Sequence, residues 1–211
     1  MAKKIMFSDK YGLTEAVLAG RKTMTRRTIP LTDADREYLD TAFDFDLREW
    51  VIIDRYARYK VGEEVAVAQR YQDIPMDVLM QRRTDGKTDR WPFESLLRQS
   101  HGWSNKQGVV ASLMPHRIRI TAIKVERLQD ISDEDAMREG IFHYDNPPLH
   151  HEMDRFAPWP PYVKPYKHDN DNLIYRCSAR WAFAYLIDKV SGYGTWKGNP
   201  WVFAYEFELT E

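Results

Sequence analysis

The run LAGRKTMTRRT at residues 18–28 holds a high density of hydrogen-bond donors. The donors are arginine and lysine cations and threonine hydroxyls, namely Arg21, Lys22, Arg26, Arg27, Thr23, Thr25 and Thr28. Placed just after a predicted helix end, this many donors suit an anionic or carbonyl-rich ligand. A basic strand whose cations pair with surface carboxylates would have the same composition, so the run alone is consistent with both interpretations.

A short helix is predicted immediately before this run. The apolar residues of 13–17 fall at helical spacing, and Gly20 stands where a glycine in the left-handed conformation would end the helix. Residues three apart on a regular strand point to opposite faces. Lys22 and Thr25 therefore converge only if residues 21–23 form a loop or bulge, which Gly20 favours.

A second predicted helix places a carboxylate where it does not help stability. Ser132 is a good N-cap, and Asp135 completes a capping-box pattern. Gly140 is a helix stop, so the helix is about two turns long and Glu139 is its last residue. A carboxylate there faces the negative end of the helix dipole. This position indicates a different role for Glu139, and a plain surface glutamate is the alternative.

Hydrophobic periodicity predicts an alternation of strands and helices. The predicted strands are 3–7, 50–53, 64–71, 109–113, 117–125 and 201–209, and the predicted helices end near Ala19 or span 33–42 and 174–190. In the strand at 64–71, Gln69 and Tyr71 share one face with two valines. In 117–125 the apolar face switches midway, which predicts a bulge near Ala122.

The closing strand at 201–209 shows the cleanest alternation in the chain. Its odd-numbered residues are predicted to face the core, and they are Trp201, Phe203, Tyr205, Phe207 and Leu209. Glu206 and Glu208 are predicted to face away from it.

Two stretches lack regular periodicity. Residues 72–108 are polar and are predicted to form an insertion with one or two short helices that stays outside the core. Residues 142–172 are rich in proline, histidine and aromatics, a composition typical of a loop that folds over a cleft. We therefore expect a single domain over residues 1–211 with insertions at about 72–108 and 142–172.

Composition and charge exclude several kinds of protein. The net charge of −1 excludes nucleic-acid binding by bulk charge, so any basic surface is local. The single cysteine, Cys177, excludes an internal disulfide and a cysteine-rich zinc site, and its apolar neighbours favour a buried, inert thiol. The sequence contains neither the apolar run of a signal peptide nor a membrane-spanning run. It predicts a cytoplasmic protein without a membrane partner.

The sequence predicts neither a metal site nor a bound cofactor. The histidines of the second insertion lack the spacing of a zinc site, and they are His143, His150, His151 and His168. The chain also lacks the glycine-rich motifs that bind nucleotide phosphates.

Four segments of the chain together resemble the ASCH family, whose members have a PUA-like β-barrel fold. In chain order they are GRKTMTRR at 20–27, VGE at 61–63, SDEDAMREGI at 132–141 and WVFAYEF at 201–207. They follow the order of the family and span nearly the whole chain. The resemblance implies an α+β fold, a mixed β-barrel with short flanking helices. Larger phage and prophage-type members carry long insertions similar to the two predicted here.

The resemblance also implies a cleft in the barrel that binds RNA or a modified nucleoside. Small bacterial members hydrolyse N4-acetylcytidine with a lysine, a threonine and a glutamate, which match Lys22, Thr25 and Glu139. These three are the expected catalytic residues, and the expected substrate-binding residues are Arg21, Arg26, Arg27, Gln69 and Tyr71. Gln69 stands where many larger members have a glutamate.

Amide hydrolysis needs a nucleophile, a proton acceptor and a group that stabilises the oxyanion. Thr25, or a water that it positions, could attack the acyl carbonyl. Lys22 could act as the base if burial lowers its pKa. Glu139 could protonate the leaving amine or hold Lys22 in place, and Arg21 or Arg26 could serve the oxyanion or a phosphate.

Two interpretations without catalysis stay open at this point. In the first, a PUA-like module binds RNA, its cations contact phosphates, and Trp91, Trp103 or Trp159 stacks on bases. In the second, the chain is a phage accessory protein with a vestigial cleft.

Overall fold

The fold is built on a mixed β-sheet whose central strands are β4 (Arg117–Arg127) and β7 (Trp201–Leu209). A computed structural model of the chain describes residues 2–41, 45–83, 85–143, 156–158 and 178–210. Within these residues, five strands pair in the order β1 (Lys4–Ile5), β3 (Glu64–Val67), β4, β7 and β2 (Met24–Thr28). β1 and β3 are parallel, and the other neighbours are antiparallel. With the helices below, this confirms the α+β class.

The sheet is open in the described part of the chain. β1 and β2 lie at its two edges and do not pair with each other, so these residues do not show the expected closed barrel. The two edges nevertheless approach each other. Arg27 on β2 donates a hydrogen bond from Nη2 to the carbonyl oxygen of Met6, the residue after β1, over 2.7 Å. One side chain thus spans the gap between the edge strands.

Helices and a small second sheet surround this framework. The helices of the described residues are α1 (Leu13–Leu18), α2 (Asp33–Thr41), α3 (Phe45–Tyr56), α4 (Met76–Gln81), α5 (Arg90–Gln99), α6 (Asp133–Arg138), α7 (Ala179–Ser191) and α8 (Thr195–Gly198). The second sheet pairs β5 (Ile141–His143) with β6 (Phe156–Pro158). The rest of the predicted insertion at 142–172 lies outside the described residues.

Several sequence predictions based on local pattern are confirmed. The ladder between β4 and β7 shifts register between Ile120 and Ala122, which is the predicted bulge. The helix predicted at 33–42 is α2, and the helix predicted to end near Ala19 is α1. Gly192, with φ +112°, ends α7, which begins at Ala179 within the described residues.

The strands predicted at 50–53 and 109–113 are wrong. The first lies inside α3, where Ile52 is fully buried while Trp50 is 64% exposed. Two apolar residues two positions apart resemble strand alternation, but here one faces the core and the other faces solvent. The second stretch contains a short 3₁₀-helix, Ala111–Leu113.

The strand predicted at 64–71 is too long, and its face assignment is wrong for Tyr71. β3 ends at Val67, and the chain then turns into a 3₁₀-helix, Tyr71–Asp73. Tyr71 joins a second apolar cluster together with Ala66 and Ala68, not the cluster that holds Val65 and Val67. Its hydroxyl accepts a hydrogen bond from the Val110 backbone N–H over 2.8 Å, which fixes the ring there.

The segment between β3 and β4 contains the helices predicted for residues 72–108, but it is not outside the core. Its buried apolar residues form the second cluster with the outer residues of β3, and they include Tyr71, Ile74, Leu79, Leu97, Val109 and Met114. The prediction was wrong because it was based on the polar composition of residues 72–108, whereas several apolar residues among them are buried.

The main core joins the sheet to α1, α3 and α7. β7 contributes Val202, Phe203, Tyr205 and Phe207 to it, and Ala204 is buried as well, so the strand is buried on both faces. The predicted alternation therefore holds only in part: Phe203, Tyr205 and Phe207 are buried as expected, whereas Leu209 is 38% exposed at the strand end. No helix among the described residues has the length and apolarity that crossing a membrane requires.

Replacing Gly102 by alanine should destabilise the second cluster. A Cβ at this position would lie 2.5 Å from Tyr71 Cε2 and 2.9 Å from the carbonyl oxygen of Gly108. We expect Gly102→Ala to lower the free energy of unfolding by about 1–3 kcal/mol, measured by denaturant unfolding. Gly198→Ala is the matched control, because a Cβ there meets no atom within 4 Å. Equal effects of the two substitutions would contradict the packing described here.

Candidate functional site

Lys22 and Glu139 form a buried ion pair at the free edge of β2. The distance from Lys22 Nζ to Glu139 Oε2 is 2.6 Å. The ammonium also donates to the carbonyl oxygens of Met24 and Glu139, each over 2.7 Å. Lys22 is 2% exposed and Glu139 is 3% exposed. Two residues separated by more than half of the chain therefore share one water-excluded contact.

The loop before β2 brings Lys22 to this position. Gly20 has φ +70° and ends α1, as predicted, and the Ala16 carbonyl then accepts from the backbone N–H groups of Arg21 and Lys22. Residues 21–23 are a loop, so the direction of the Lys22 side chain does not follow the alternation of side chains in β2. This is the departure from regular strand geometry that convergence with Thr25 requires.

The short helix α6 brings Glu139 to the same position. Ser132 Oγ accepts from the Asp135 N–H over 3.0 Å, so half of the predicted capping box is present. The Asp135 carboxylate makes a different contact, an ion pair with Arg26 over 2.9 Å. Glu139 is the C-cap residue, and Gly140 at φ +97° turns the chain away directly after it.

Arg26 ties the site to the opposite face of β2. Its guanidinium contacts the carboxylates of Glu126 at 2.7 Å, Asp135 at 2.9 Å and Glu139 at 3.3 Å. Burial alone would lower the pKa of Arg26, but these carboxylates raise it above its ordinary value. The charge of Arg26 is therefore neutralised within the protein, and its donors hold Glu139 in place.

Glu126 and Asp135 were not identified as site residues from the sequence. Glu126 is the second-last residue of β4 and belongs to no motif. β7 lies between β4 and β2, so the Arg26 side chain reaches Glu126 across β7. Asp135 carried a signal that pointed to helix capping. Their role depends on tertiary contacts about 100 residues apart in the chain.

Thr25 completes the group on the inner face of the sheet. It pairs with Tyr205 in the β2–β7 ladder and is buried. No hydrogen bond of its hydroxyl group is found among the described residues. Thr25, Lys22 and Glu139 line the same cavity of about 50 Å³, closed on its other side by Phe7 and by residues of α7.

The size of this cavity limits what can enter it. A volume of about 50 Å³ accommodates one or two water molecules. Pockets that enclose a drug-sized ligand are about 300–1,000 Å³. In this conformation the cavity therefore admits water or a small acyl group, while the rest of a larger ligand would stay outside.

The protonation state of Lys22 follows from its partners. Each of the three oxygens around Nζ accepts a hydrogen bond from it, and only an ammonium has three N–H groups to donate. Burial lowers the pKa of Lys22 below its ordinary value of 10.5; the Glu139 carboxylate raises it in part, and Arg27 and Arg26 lower it further. Lys22 is thus an ammonium that releases its proton more readily than a lysine in water.

The remaining predicted site residues do not all lie at this cavity. Arg27 lines it, whereas Arg21 lies at the surface and pairs with Glu15 over 3.4 Å. Gln69 and Tyr71 belong to the region of the second apolar cluster and do not line it. The Gln69 Oε1 atom is buried and has no hydrogen-bond partner within the described residues.

The predicted histidine loop lies mostly outside the described residues. His143 is in β5, while His150, His151, His168 and Cys177 fall in stretches that the structure does not describe, as does Trp159. Within the described ranges, no group of three or more histidine, cysteine or acidic residues is placed to hold a metal ion.

The chain matches no protein-family model, no curated protein and no solved structure. The resemblance to the ASCH family therefore stays a prediction. The case for a functional site depends on the geometry of Lys22, Thr25 and Glu139.

Removing either partner of the Lys22–Glu139 pair should destabilise the fold strongly. Among the described residues, Lys22→Met leaves Glu139 with Arg26 as its ion-pair partner, and Glu139→Gln removes the one carboxylate that pairs with Lys22. Each substitution should lower the free energy of unfolding by about 3–5 kcal/mol, and the double variant should lose less than the sum. Urea unfolding of the four proteins measures this.

The exposed pair of Arg119 and Glu64 provides the control. These side chains are 47% and 45% exposed at a distance of 3.0 Å. Arg119→Met and Glu64→Gln should each cost about 0–1 kcal/mol. Additive effects at Lys22 and Glu139, or effects as small as this, would contradict a coupled buried pair.

The lowered pKa of Lys22 predicts a stability difference that depends on pH. Between the folded-state pKa and the ordinary value of 10.5, the unfolded chain binds more protons than the folded one. The contribution of Lys22 to stability therefore rises with pH in this window. We expect the wild type to gain stability relative to Lys22→Met as the pH is raised from neutrality toward 10.5, measured by denaturant unfolding. If the stability difference between the wild type and Lys22→Met fell as the pH rose, the pKa of Lys22 would be raised and not lowered.

Proposed function

We propose that this chain hydrolyses the N-acyl amide of a modified nucleoside of the N4-acetylcytidine kind, in a cleft of an ASCH-like, PUA-like fold. Lys22, Thr25 and Glu139 are the catalytic residues of this proposal. One observation carries it: an amine, a hydroxyl and a carboxylate, far apart in the sequence, line one cavity. The ion pair with a lowered lysine pKa supplies the proton transfers that amide hydrolysis needs.

The proton steps begin within the ion pair. Lys22 passes one proton to Glu139 Oε2, 2.6 Å away, which leaves a neutral amine beside a carboxylic acid. The Thr25 hydroxyl, or a water that it holds, attacks the acyl carbon and gives its proton to the Lys22 amine. Glu139 then protonates the leaving amine as the C–N bond breaks. Lys22 is again an ammonium and Glu139 a carboxylate, and attack by water releases the amine and the carboxylic acid directly. If Thr25 attacked, its acyl ester remains and the same proton steps repeat. A water then attacks the ester and gives its proton to the Lys22 amine, and Glu139 protonates the Thr25 oxygen as the ester C–O bond breaks, which releases the acid and restores the hydroxyl.

The cation also stabilises the negative charge that forms on the acyl oxygen. Lys22 is buried, and an interaction between charges is stronger where water is excluded. Arg26 contributes indirectly, because it holds Glu139 from the other side at 3.3 Å. We therefore assign Arg26 a positioning role.

The walls of the cavity favour an acyl group over a charged one. Apart from Glu139, two serines and the polar residues at β2, the lining is apolar and includes Phe7, Leu13, Phe183, Leu186 and Ile187. A short acyl chain would pack against these side chains, and its small size matches the cavity. The nucleobase would then remain at the cavity entrance.

Turnover of a panel of N-acylated nucleosides, including N4-acetylcytidine, tests this proposal. The wild type should release free nucleoside from at least one member, detected by chromatography. Thr25→Val keeps the shape of the side chain and removes the hydroxyl, so it should lower kcat about 10²–10⁴-fold. Thr41→Val, at the exposed end of α2, is the control and should retain activity.

Two results would contradict the proposal. The first is a folded wild type that turns over no member of the panel, which would favour a non-catalytic RNA-binding module. The second is a Thr25→Val variant as active as the Thr41→Val variant.

A further inference from the structure

A second, larger cavity of about 300 Å³ lies between the two edge strands of the sheet. We call it the edge-strand groove. Its walls come from residues 4–6 at β1, from Arg27, Thr28 and Pro30 at and after β2, from Tyr56, Arg58 and Tyr59 at and after the end of α3, and from Phe203 and Tyr205 of β7. It is distinct from the cavity of Lys22, but the two share Met6 and Arg27 as lining residues.

The described lining of this groove carries positive charge without acidic residues. Lys4, Arg27 and Arg58 contribute cations, and no aspartate or glutamate is among the described residues that line it. Neither Arg27 nor Arg58 forms an ion pair within the described part of the chain. The Lys4 ammonium donates to the carbonyl oxygens of Gln107 and Val109 over 2.7 and 2.6 Å, contacts that leave its charge uncompensated.

The cations of the groove also affect the pKa values of neighbouring side chains. Burial lowers the pKa of Lys4, and the charge of Arg58 lowers it further. Burial raises the pKa of Tyr59; Arg58 and Arg27 act in the opposite direction, and Glu63, which does not line the groove, raises it by the smallest contribution. Arg26, one residue before Arg27, shows the contrast: its charge is surrounded by carboxylates.

A rigid aromatic base supports these cations. Tyr59 and Tyr205 pack edge to face with ring centroids 5.4 Å apart, and Phe203 lies 5.7 Å from Tyr205. The Tyr59 hydroxyl donates to the Lys4 carbonyl over 3.0 Å, and the Tyr205 hydroxyl accepts from the Arg58 backbone N–H over 3.2 Å. These bonds fix the backbone of two of the cationic residues before any ligand binds.

From these contacts we infer that the edge-strand groove binds the phosphate group of a phosphorylated nucleoside. Guanidinium groups match phosphate oxygens through paired hydrogen bonds, and a cluster of cations suits a multiply charged oxyanion. The nucleoside part of this inference rests on the proposed function, because the groove adjoins the catalytic cavity at Met6 and Arg27. The phosphate part rests on the groove alone.

Calorimetric titration with cytidine and with cytidine 5′-monophosphate tests the inference without requiring turnover. The wild type should bind the monophosphate at least tenfold more tightly than cytidine, and added salt should weaken the binding of the monophosphate but not that of cytidine. Arg58→Gln should weaken the binding of the monophosphate about tenfold. Arg58 is exposed, so this substitution should leave the fold intact, which circular dichroism checks.

Arg36→Gln removes the same charge from the exposed surface of α2 and is the matched control, with unchanged affinity expected. A dinucleotide that carries only a phosphodiester distinguishes the two sources of phosphate. Binding as tight as that of the monophosphate assigns the groove to an RNA backbone, and weaker binding assigns it to a free or terminal phosphate. Both outcomes support a phosphate site.

Equal affinity for cytidine and its monophosphate, or equal effects of Arg58→Gln and Arg36→Gln, would overturn the inference. Its failure is distinguishable from failure of the proposed function. The ligands carry no acyl group, and Thr25→Val, expected to be inactive, should keep the preference for the monophosphate.

Discussion

The contact between Lys22 and Glu139 is the constraint on which the arrangement of the site depends. Both charges are buried, and a buried charge that loses its partner is strongly destabilising. The contact therefore ties the loop after α1 to the end of α6. Arg26 extends it from β2 across β7 to β4 through Glu126. Elements distant in the chain are thus held together by charge as well as by the apolar core, which includes Leu13 of α1 and Ala136 of α6.

Stability alone does not account for this choice of residues. Replacing a buried ion pair by well-packed apolar residues is often neutral or stabilising, because desolvating two charges offsets much of their attraction. Glu139 also stands at the negative end of the α6 dipole, where a carboxylate does not favour the helix. A buried cavity that also exposes the Thr25 hydroxyl is the context in which such an arrangement has chemical use. This is the physical reason to connect the pair with function.

The sequence predicted those features that neighbouring residues determine. The Ser132 cap, the left-handed Gly20, the loop at 21–23 and the bulge near Ala122 each follow from residues a few positions away. The helical conformation of residues 50–53 and the packing of Tyr71 in the second cluster were not predicted. Each depends on which residues, distant in the sequence, pack against the segment. The partners of Arg26 lie about 100 residues away, and no local pattern indicates them.

Arg26 and Arg27 show how one edge strand can separate two environments. Their side chains leave β2 on opposite faces: Arg26 meets carboxylates, whereas Arg27 faces the edge-strand groove and the Met6 carbonyl. Positive charge is thus cancelled on one face and retained on the other. The ligand that we propose, with an uncharged reactive group and an anionic group some distance from it, would match both environments. The outer edge of this short strand pairs with no strand among the described residues, and here the two cavities share Met6 and Arg27 as lining residues.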